Sequence, residues 1–450
     1  MVLSRRAFLS SLAVGCLSLS QSDQVYAKPV RVLVLGAGIA GLAAAQTLRQ
    51  KGYDVVVIEG RNRIGGRIHT SRMWANYPTD MGASWIHGTT NNPITTLANN
   101  LKAERVTTSY NSSQLHIAPE LMSKGLKSYD ETKIGNLISS ALKKANQLEI
   151  DLSLQQAVNK FVGTSLNPLV KNQIDFYINS RYEQEYSGSA NYLSAQTFED
   201  NEVFKGSDVL FPKGYDQITN ELAKGLVIKT NQVIREINYT EKDVIVKTQN
   251  AQYSANYVVV TLPLGVLKKG NVKFNPPLPA AKQKAIERLG MGLLNKTFLK
   301  FDKVFWPKNI DWQEYLSAEK GRWAEWVSFA KIGAPILLGF NAADRAYEVE
   351  HWSDQAIVSD AMKVLKSMFG NAIPNPNAYQ ITRWAQDPFT YGSYSFNAVG
   401  STNQDRNALA SSVAGRLFWA GEATSANYQG TVHGAYLSGI KAANAIIKTS

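Results

Sequence analysis

The sequence predicts an α/β fold, in which a parallel sheet layered with helices carries an inserted α+β region of mixed sheet plus helices. Three observations predict it. Short β-branched apolar runs flank one helical run between Val30 and Glu59, the pattern of strands buried on both faces. A helical stretch from Ile94 to about Asn179 then interrupts the strands. A second interruption begins near Gly292 with an alternating strand, and the chain closes on one more strand and a long helix.

Taken in order, Val30–Leu35 is a strand, Gly36-Ala37-Gly38-Ile39-Ala40-Gly41 a turn, and Leu42–Leu48 a helix of strong formers. Val55–Ile58 is the second strand and ends at Glu59. Gly36 permits the tight turn, Gly38 lets backbone approach a pyrophosphate, and Gly41 lets helix and strand pack closely. The helix N-terminus offers unpaired N–H groups and partial positive charge to phosphate. Glu59 suits a ribose diol and argues against a 2′-phosphate, hence against NADP. A glycine pattern alone is weak evidence; the strand before it and the acid after it make it a Rossmann-like nucleotide unit.

At 450 residues and 44% apolar, the chain can bury two domains. It has no internal apolar run of membrane-spanning length. Formal net charge is +12, but Lys and Arg are scattered, so they read as solvated surface rather than a nucleic-acid footprint. Residues 1–27 read as a cleaved signal peptide: Arg5-Arg6-Ala7-Phe8-Leu9, an apolar stretch to Leu19, and Val25-Tyr26-Ala27 before Lys28. The paired arginines resemble a twin-arginine export signal, which implies a periplasmic or secreted protein. Cys16 is the only cysteine and lies in this segment; Ala13-Val14-Gly15 before it makes a poor lipoprotein box, so lipid anchoring is not expected. The mature chain then has no thiol and no disulfide.

Beyond Glu59, Gly65-Gly66 stands among Arg61, Arg63 and Arg67, a group able to wrap a second nucleotide half. Asp80–Gly88 reads as a buried turn with one histidine, His87, more often structural than functional on pattern alone. Leu137–Leu148, Leu154–Phe161 and Leu169–Ile178 repeat apolar residues at helical spacing. Strands are expected at 226–228, 233–237, 244–246 and 257–261, returning to the nucleotide unit. Asn295–Phe301 alternates, with Lys296, Phe298 and Lys300 on one face, and a strand lysine is ordinarily solvated. Leu337–Phe340 and Tyr379–Thr382 continue that mixed sheet, and Val358–Phe369 is helical. Leu417–Glu422 and a helix from Thr431 to about Lys448 close the chain. No metal-binding spacing and no Gly-x-Ser-x-Gly elbow is present, so no metal is expected.

Five stretches together resemble one family: Gly36–Arg67, Gly82-Ala83-Ser84-Trp85-Ile86-His87-Gly88, Asn295–Leu299, Tyr391–Phe396, and Gly421–Thr424 with Gly430–Gly439. In this order they are similar to the flavin-dependent amine oxidases, most closely the polyamine oxidase branch that includes lysine-specific histone demethylases. The resemblance covers nearly all of the mature chain. It implies a glutathione-reductase-like, two-dinucleotide-binding FAD domain (28–90, 208–288 and 404–450) and a substrate domain (91–207 and 289–403). Implied FAD contacts fall on Gly36, Gly38, Ile39, Ala40, Gly41, Glu59, Gly60, Arg61, Gly66 and Arg67. They continue through Gly82, Ala83, Ser84, Trp85, Val233, Trp384, Gly421, Glu422, Thr431 and Val432.

Lys296 matches the family lysine that binds a water near the flavin, and Tyr394 matches one wall of the cage around the substrate nitrogen. The opposite wall, aromatic in monoamine oxidases, is Thr431 here, which implies a more open cage. Ser393 stands where monoamine oxidases carry the cysteine that bonds the flavin, so FAD is expected to be non-covalent. His87 matches a substrate-contacting histidine. An acidic anchor for a distal cation is placed at Glu185, with Asp200 and Glu202 in reserve.

The implied reaction is oxidation of polyamines, free or acetylated, by hydride transfer to the flavin, with imine hydrolysis and O₂ reduced to H₂O₂. Other readings stay open: a monoamine or L-amino-acid oxidase, the latter with Arg383 as carboxylate clamp; a dehydrogenase using another acceptor; and a silent flavin-binding protein. Partners are a small amine and O₂, with no nucleic acid and no membrane span; the oligomeric state is not legible.

Overall fold

The computed structural model describes residues 30–449. The expectations for residues 1–27, for Cys16 and for Lys28 lie outside them. Its organising layer is a five-stranded sheet in the order Leu417–Trp419, Tyr257–Val260, Arg31–Leu35, Asp54–Ile58, Val227–Lys229, with every neighbouring pair parallel. Alternation along the first strand decides the packing. Val32 and Val34 join one apolar core with the helices Ile39–Arg49 and Val432–Thr449, while Leu33 and Leu35 join another on the opposite face. Each such fully buried side chain contributes about 1.5–3 kcal/mol.

The strands expected at 233–237 and 244–246 do not extend this sheet. With Gln252–Ala255 and Lys273–Asn275 they build a separate four-stranded sheet, whose Ile234, Ile237, Val244 and Val246 cover the second face. The helix Pro93–Asn100, expected in the inserted region, sends Ile94 and Ala98 into the core beneath the parallel sheet.

A six-stranded sheet forms the second layer, ordered Ala378–Ile381, Leu294–Lys300, Ile336–Ala342, Glu325–Ser328, Trp312–Leu316, Ser113–Ile117. It is antiparallel except for its last pair. Three of its strands do not show in the sequence pattern. Ser113–Ile117 sits inside the stretch read as helical, and Trp312–Leu316 and Glu325–Ser328 bury Gln313, Glu314 and Glu325, which breaks the polar-out alternation. Helix Asp354–Phe369 packs Ile357, Ala361 and Leu365 against Leu299, Trp326 and Leu337 of this sheet.

Helices Glu131–Ala145, Leu154–Phe161 and Pro168–Ile178 make the expected helical layer. The third runs on through one π-helical turn, Asn179–Glu183, before Gln184–Tyr186. Such turns hold one residue more than an α-turn and recur at functional sites. No helix of the described residues is long and apolar enough to cross a membrane.

Candidate active site

One cavity of about 780 Å³ runs from the glycine turn to the six-stranded sheet. Every binding or catalytic residue that the sequence singles out lines it except Gly41, Arg63, whose guanidinium is turned to the Ile64 and Gly66 carbonyls, and the reserve candidates Asp200 and Arg383. Gly41 is a packing residue: a Cβ there would sit 2.0 Å from the Gly36 carbonyl oxygen. Gly38 is the opposite case, since a Cβ there meets nothing within 4 Å. That open space above the turn is what close approach of a phosphate requires.

At this end a few charged side chains are anchored on backbone groups. The Glu59 carboxylate accepts from the amides of Ala37 at 2.7 Å and Arg61 at 2.8 Å. Arg61 also pairs with Asp387 at 2.8 Å and lies over the Phe389 ring. Arg67 donates to the Ser393 carbonyl and to Glu422, at 2.8 and 2.9 Å. The other Glu422 oxygen accepts from Ser395 Oγ at 2.6 Å and from the Gly430 amide at 3.1 Å. Burial opposes ionisation of Glu422, but Arg67, Ser395 and Arg406 outweigh it and hold its pKa below the usual range.

Gly430 leads into the last helix. Thr431 Oγ1 donates to the Tyr428 carbonyl and accepts from the Gly434 amide, at 2.8 and 2.9 Å. Its hydroxyl is therefore engaged in capping, while the residue keeps its place on the cavity wall. The amides of Val432 and His433 find no acceptor among the described residues, as at any open helix N-terminus.

Lys296 stands at the junction of the two ends. It is 4% exposed, which corrects the expectation of a solvated strand lysine. Its Nζ donates to the carbonyls of Asp80 at 2.9 Å and Gly82 at 2.5 Å and to Ser84 Oγ at 2.5 Å. Burial lowers its pKa, with Asp80 opposing. The same ammonium lies 5.6 Å from the Trp85 ring centroid. Trp384 donates its indole N–H to the Met81 carbonyl at 3.3 Å, bracing the same loop. Ser393 Oγ both donates to and accepts from the Leu294 backbone, pinning the start of the lysine's strand.

At the far end, side chains take over. Pairing of Trp85–Ile86 with Asp208–Leu210 brings His87 Nδ1 to 3.0 Å from Asp208. Burial works against charge on His87, but Asp208 and Glu185 outweigh it and raise its pKa. Tyr394 donates its hydroxyl to the Gln184 carbonyl at 2.9 Å. Glu185 opens on the cavity with no hydrogen bond or ion pair among the described residues. Glu202 also lines it, held by Asn427 and the Tyr428 hydroxyl at 2.7 and 2.9 Å.

The sequence reading missed a wall of this end: Trp85 stacks on Trp312 at 5.9 Å, Trp312 on Tyr110 at 4.2 Å, and Phe340 packs against both tryptophans. It also missed Asp208 and Glu325 as cavity acids. No local motif marks them, because strand pairing alone assembles them.

The lining arginines, Arg61, Arg67 and Arg235, stand at the glycine-turn end. Arg383 is turned to the Glu350 and Trp352 carbonyls and to Asp354. Among the described residues no guanidinium lining the cavity is thus placed to clamp a substrate carboxylate at the far end. Among the described residues no group of three or more side chains could hold a metal ion.

Comparison with known proteins agrees with this architecture. A family profile described as "Flavin containing amine oxidoreductase" matches residues 39–447. The chain is similar to Polyamine oxidase 2 of Arabidopsis thaliana, 34% identical over 443 residues, covering 94% of this chain and 89% of that one. It is 35% identical to Polyamine oxidase 4 of Oryza sativa subsp. japonica over 454 residues, covering 97% and 92%. It is also 33% identical to the Lysine-specific histone demethylase 1 homolog 1 of the same rice, where it spans 56% of the relative. With nearly the whole described chain inside one family profile, this protein belongs to the flavin-containing amine oxidoreductases.

Proposed function

We propose that the chain is an FAD-dependent oxidase of polyamines, with the FAD held non-covalently. One observation carries the reading: a single cavity joins a dinucleotide cradle to an aromatic wall with carboxylates, and the buried Lys296 stands between them.

The residues present fit FAD. Open space over Gly38, the amide-anchored Glu59, the Arg67–Glu422 pair and the unpaired amides of Val432 and His433 match a diphosphate, a ribose and an electron-rich ring. Glu59 would hold the adenosine ribose, Val233 the adenine, and the Thr431 helix the pyrimidine edge of the flavin. The Rossmann-like reading of the parallel sheet, and the division into FAD and substrate domains at the boundaries given above, belong to this proposal. Ser393 in place of a cysteine supports non-covalent binding. Bound FAD supplies the hydride acceptor and the route of electrons to O₂.

The chain's own residues do the rest. The reacting nitrogen must be neutral for its lone pair to assist loss of hydride. A buried, aromatic site disfavours charge on it, by the same loss of solvation that lowers the Lys296 pKa. Tyr394 and the short Thr431 flank the nitrogen, and Lys296 holds the Asp80–Ser84 loop and, with a water, would assist imine hydrolysis or flavin reoxidation. The carboxylates of Glu185, Glu202 and Asp208 give a basic protein a local attraction for a polycation. Residues 1–27 would export the protein to the periplasm.

The deciding experiment is anaerobic mixing of the yellow protein with polyamines, monoamines and L-amino acids in turn. Flavin bleaching by polyamines at the lowest concentrations is expected. Bleaching by amino acids alone, or by nothing, overturns the reading. Acid precipitation should release the flavin to the supernatant; colour held in the pellet refutes non-covalent binding.

A further inference from the structure

We propose that Glu325 receives the distal ammonium of the substrate, in a subsite formed with Tyr110 and Trp312, so that the enzyme selects amines by the spacing of two nitrogens. This rests on the polyamine reading above.

The first ground is a charge imbalance. Glu314 and Glu325 stand directly opposite each other on neighbouring antiparallel strands, 5% and 2% exposed. Like charges so placed repel. One guanidinium serves both: Arg181 reaches Glu325 at 2.9 Å and Glu314 at 2.7 Å. Its third bond, 2.8 Å, goes to Glu131, which is half exposed and screened by solvent. The buried pair is one positive charge short. Glu325 lines the cavity whereas Arg181 does not, and its second oxygen takes no hydrogen bond from the described residues.

The second ground is the wall that leads there. It starts at Lys296, 5.6 Å from Trp85, and passes through Trp312 to Tyr110. Among the charges acting on the Tyr110 hydroxyl, Glu325 is the strongest. Reacting end and carboxylate are therefore joined by a face of aromatic rings, the surface along which cations and alkyl chains are both held. On the same wall the buried indole N–H of Trp312 has no acceptor among the described residues.

Until a substrate cation arrives, a proton answers the imbalance. Burial first, with Glu314 and Glu185 and against Arg181, raises the Glu325 pKa to about 8. An arriving ammonium displaces that proton to solvent and pairs with the carboxylate. The groups facing Glu325 are Arg181, Glu314, Glu185 and Tyr110.

The test compares kcat/KM for a linear diamine and for the monoamine of equal chain length, in wild type and in Glu325→Gln, which keeps an acceptor for Arg181. Wild type is expected to prefer the diamine by roughly 30-fold or more, and E325Q to lose most of that ratio through the diamine's KM. A ratio preserved in E325Q, or one abolished only in Glu185→Gln, overturns the subsite alone. Equal values for the two amines in wild type overturn it without any variant, even if E325Q fails to fold. If no amine reduces the flavin, the polyamine reading falls and the subsite with it.

Discussion

At the glycine-turn end of the cavity the recognising groups are the space over Gly38, the open amides of the Thr431 helix and a few charged side chains, each standing in a run with its own local signature. At the amine end they are side chains that meet only because distant strands pair: Trp85 with Trp312 and Tyr110, Glu325 with Arg181. Main-chain recognition constrains the residue types that permit it, and those can be read in a row. Side-chain recognition places its constraint on pairing, which leaves no local signature.

The comparison breaks if substitutions at the two ends act alike, and the largest contrast lies inside the first end. Gly41→Val puts a side chain against a fixed carbonyl, so little soluble yellow protein is expected, with a cost above about 4 kcal/mol. Gly38→Ala meets no atom, so its thermal midpoint should match the flavin-free wild type while flavin content after gel filtration falls several-fold. Wild-type flavin content in G38A would remove the phosphate role from the turn.

At the other end, the expected signature is electrostatic. The Glu325 carboxyl is held near pKa 8, above its unfolded value of about 4.3, so the folded state keeps a proton that the unfolded state releases. Stability from this group is full below about pH 4.3 and declines as pH rises to 8. E325Q abolishes that decline. Its midpoint relative to wild type should therefore rise by roughly 5 °C between pH 5 and pH 9; a gap that stays constant with pH shows the carboxyl to be unperturbed. The smallest effect belongs to Arg383→Ala, away from the cavity. It should cost about 1 kcal/mol of stability and leave amine kinetics within about two-fold. A tenfold change would restore the carboxylate-clamp reading.

How much was legible follows the same division. Glu59, Arg67 and Glu422 sit in runs whose residue types are individually explained, and the structure places all three on the cavity. Lys296 was legible only through resemblance, because alternation made it a surface lysine and nothing local says that its strand is buried on both faces. Glu314 and Glu325 hid their strands altogether: charged residues inside a sheet resemble loop until the guanidinium that neutralises them is known. Thr431 was legible as a cage wall through resemblance, but the capping bonds of its hydroxyl were not.

The parallel sheet collects strands from residues 31–58, 227–260 and 417–419, and its covering helix from 432–449. During synthesis the first strand–helix–strand unit can form early, yet the sheet's edge strand, Glu422 and the amides beyond Thr431 are made far later. Closing so long a loop costs only modest entropy, but the search for such non-local contacts is slow, and intermediates of large chains aggregate. The cradle at the Thr431 helix therefore cannot exist until that helix has been made. Tight flavin retention becomes a late event in biogenesis, and yellow colour in a preparation reports that translation has passed residue 432.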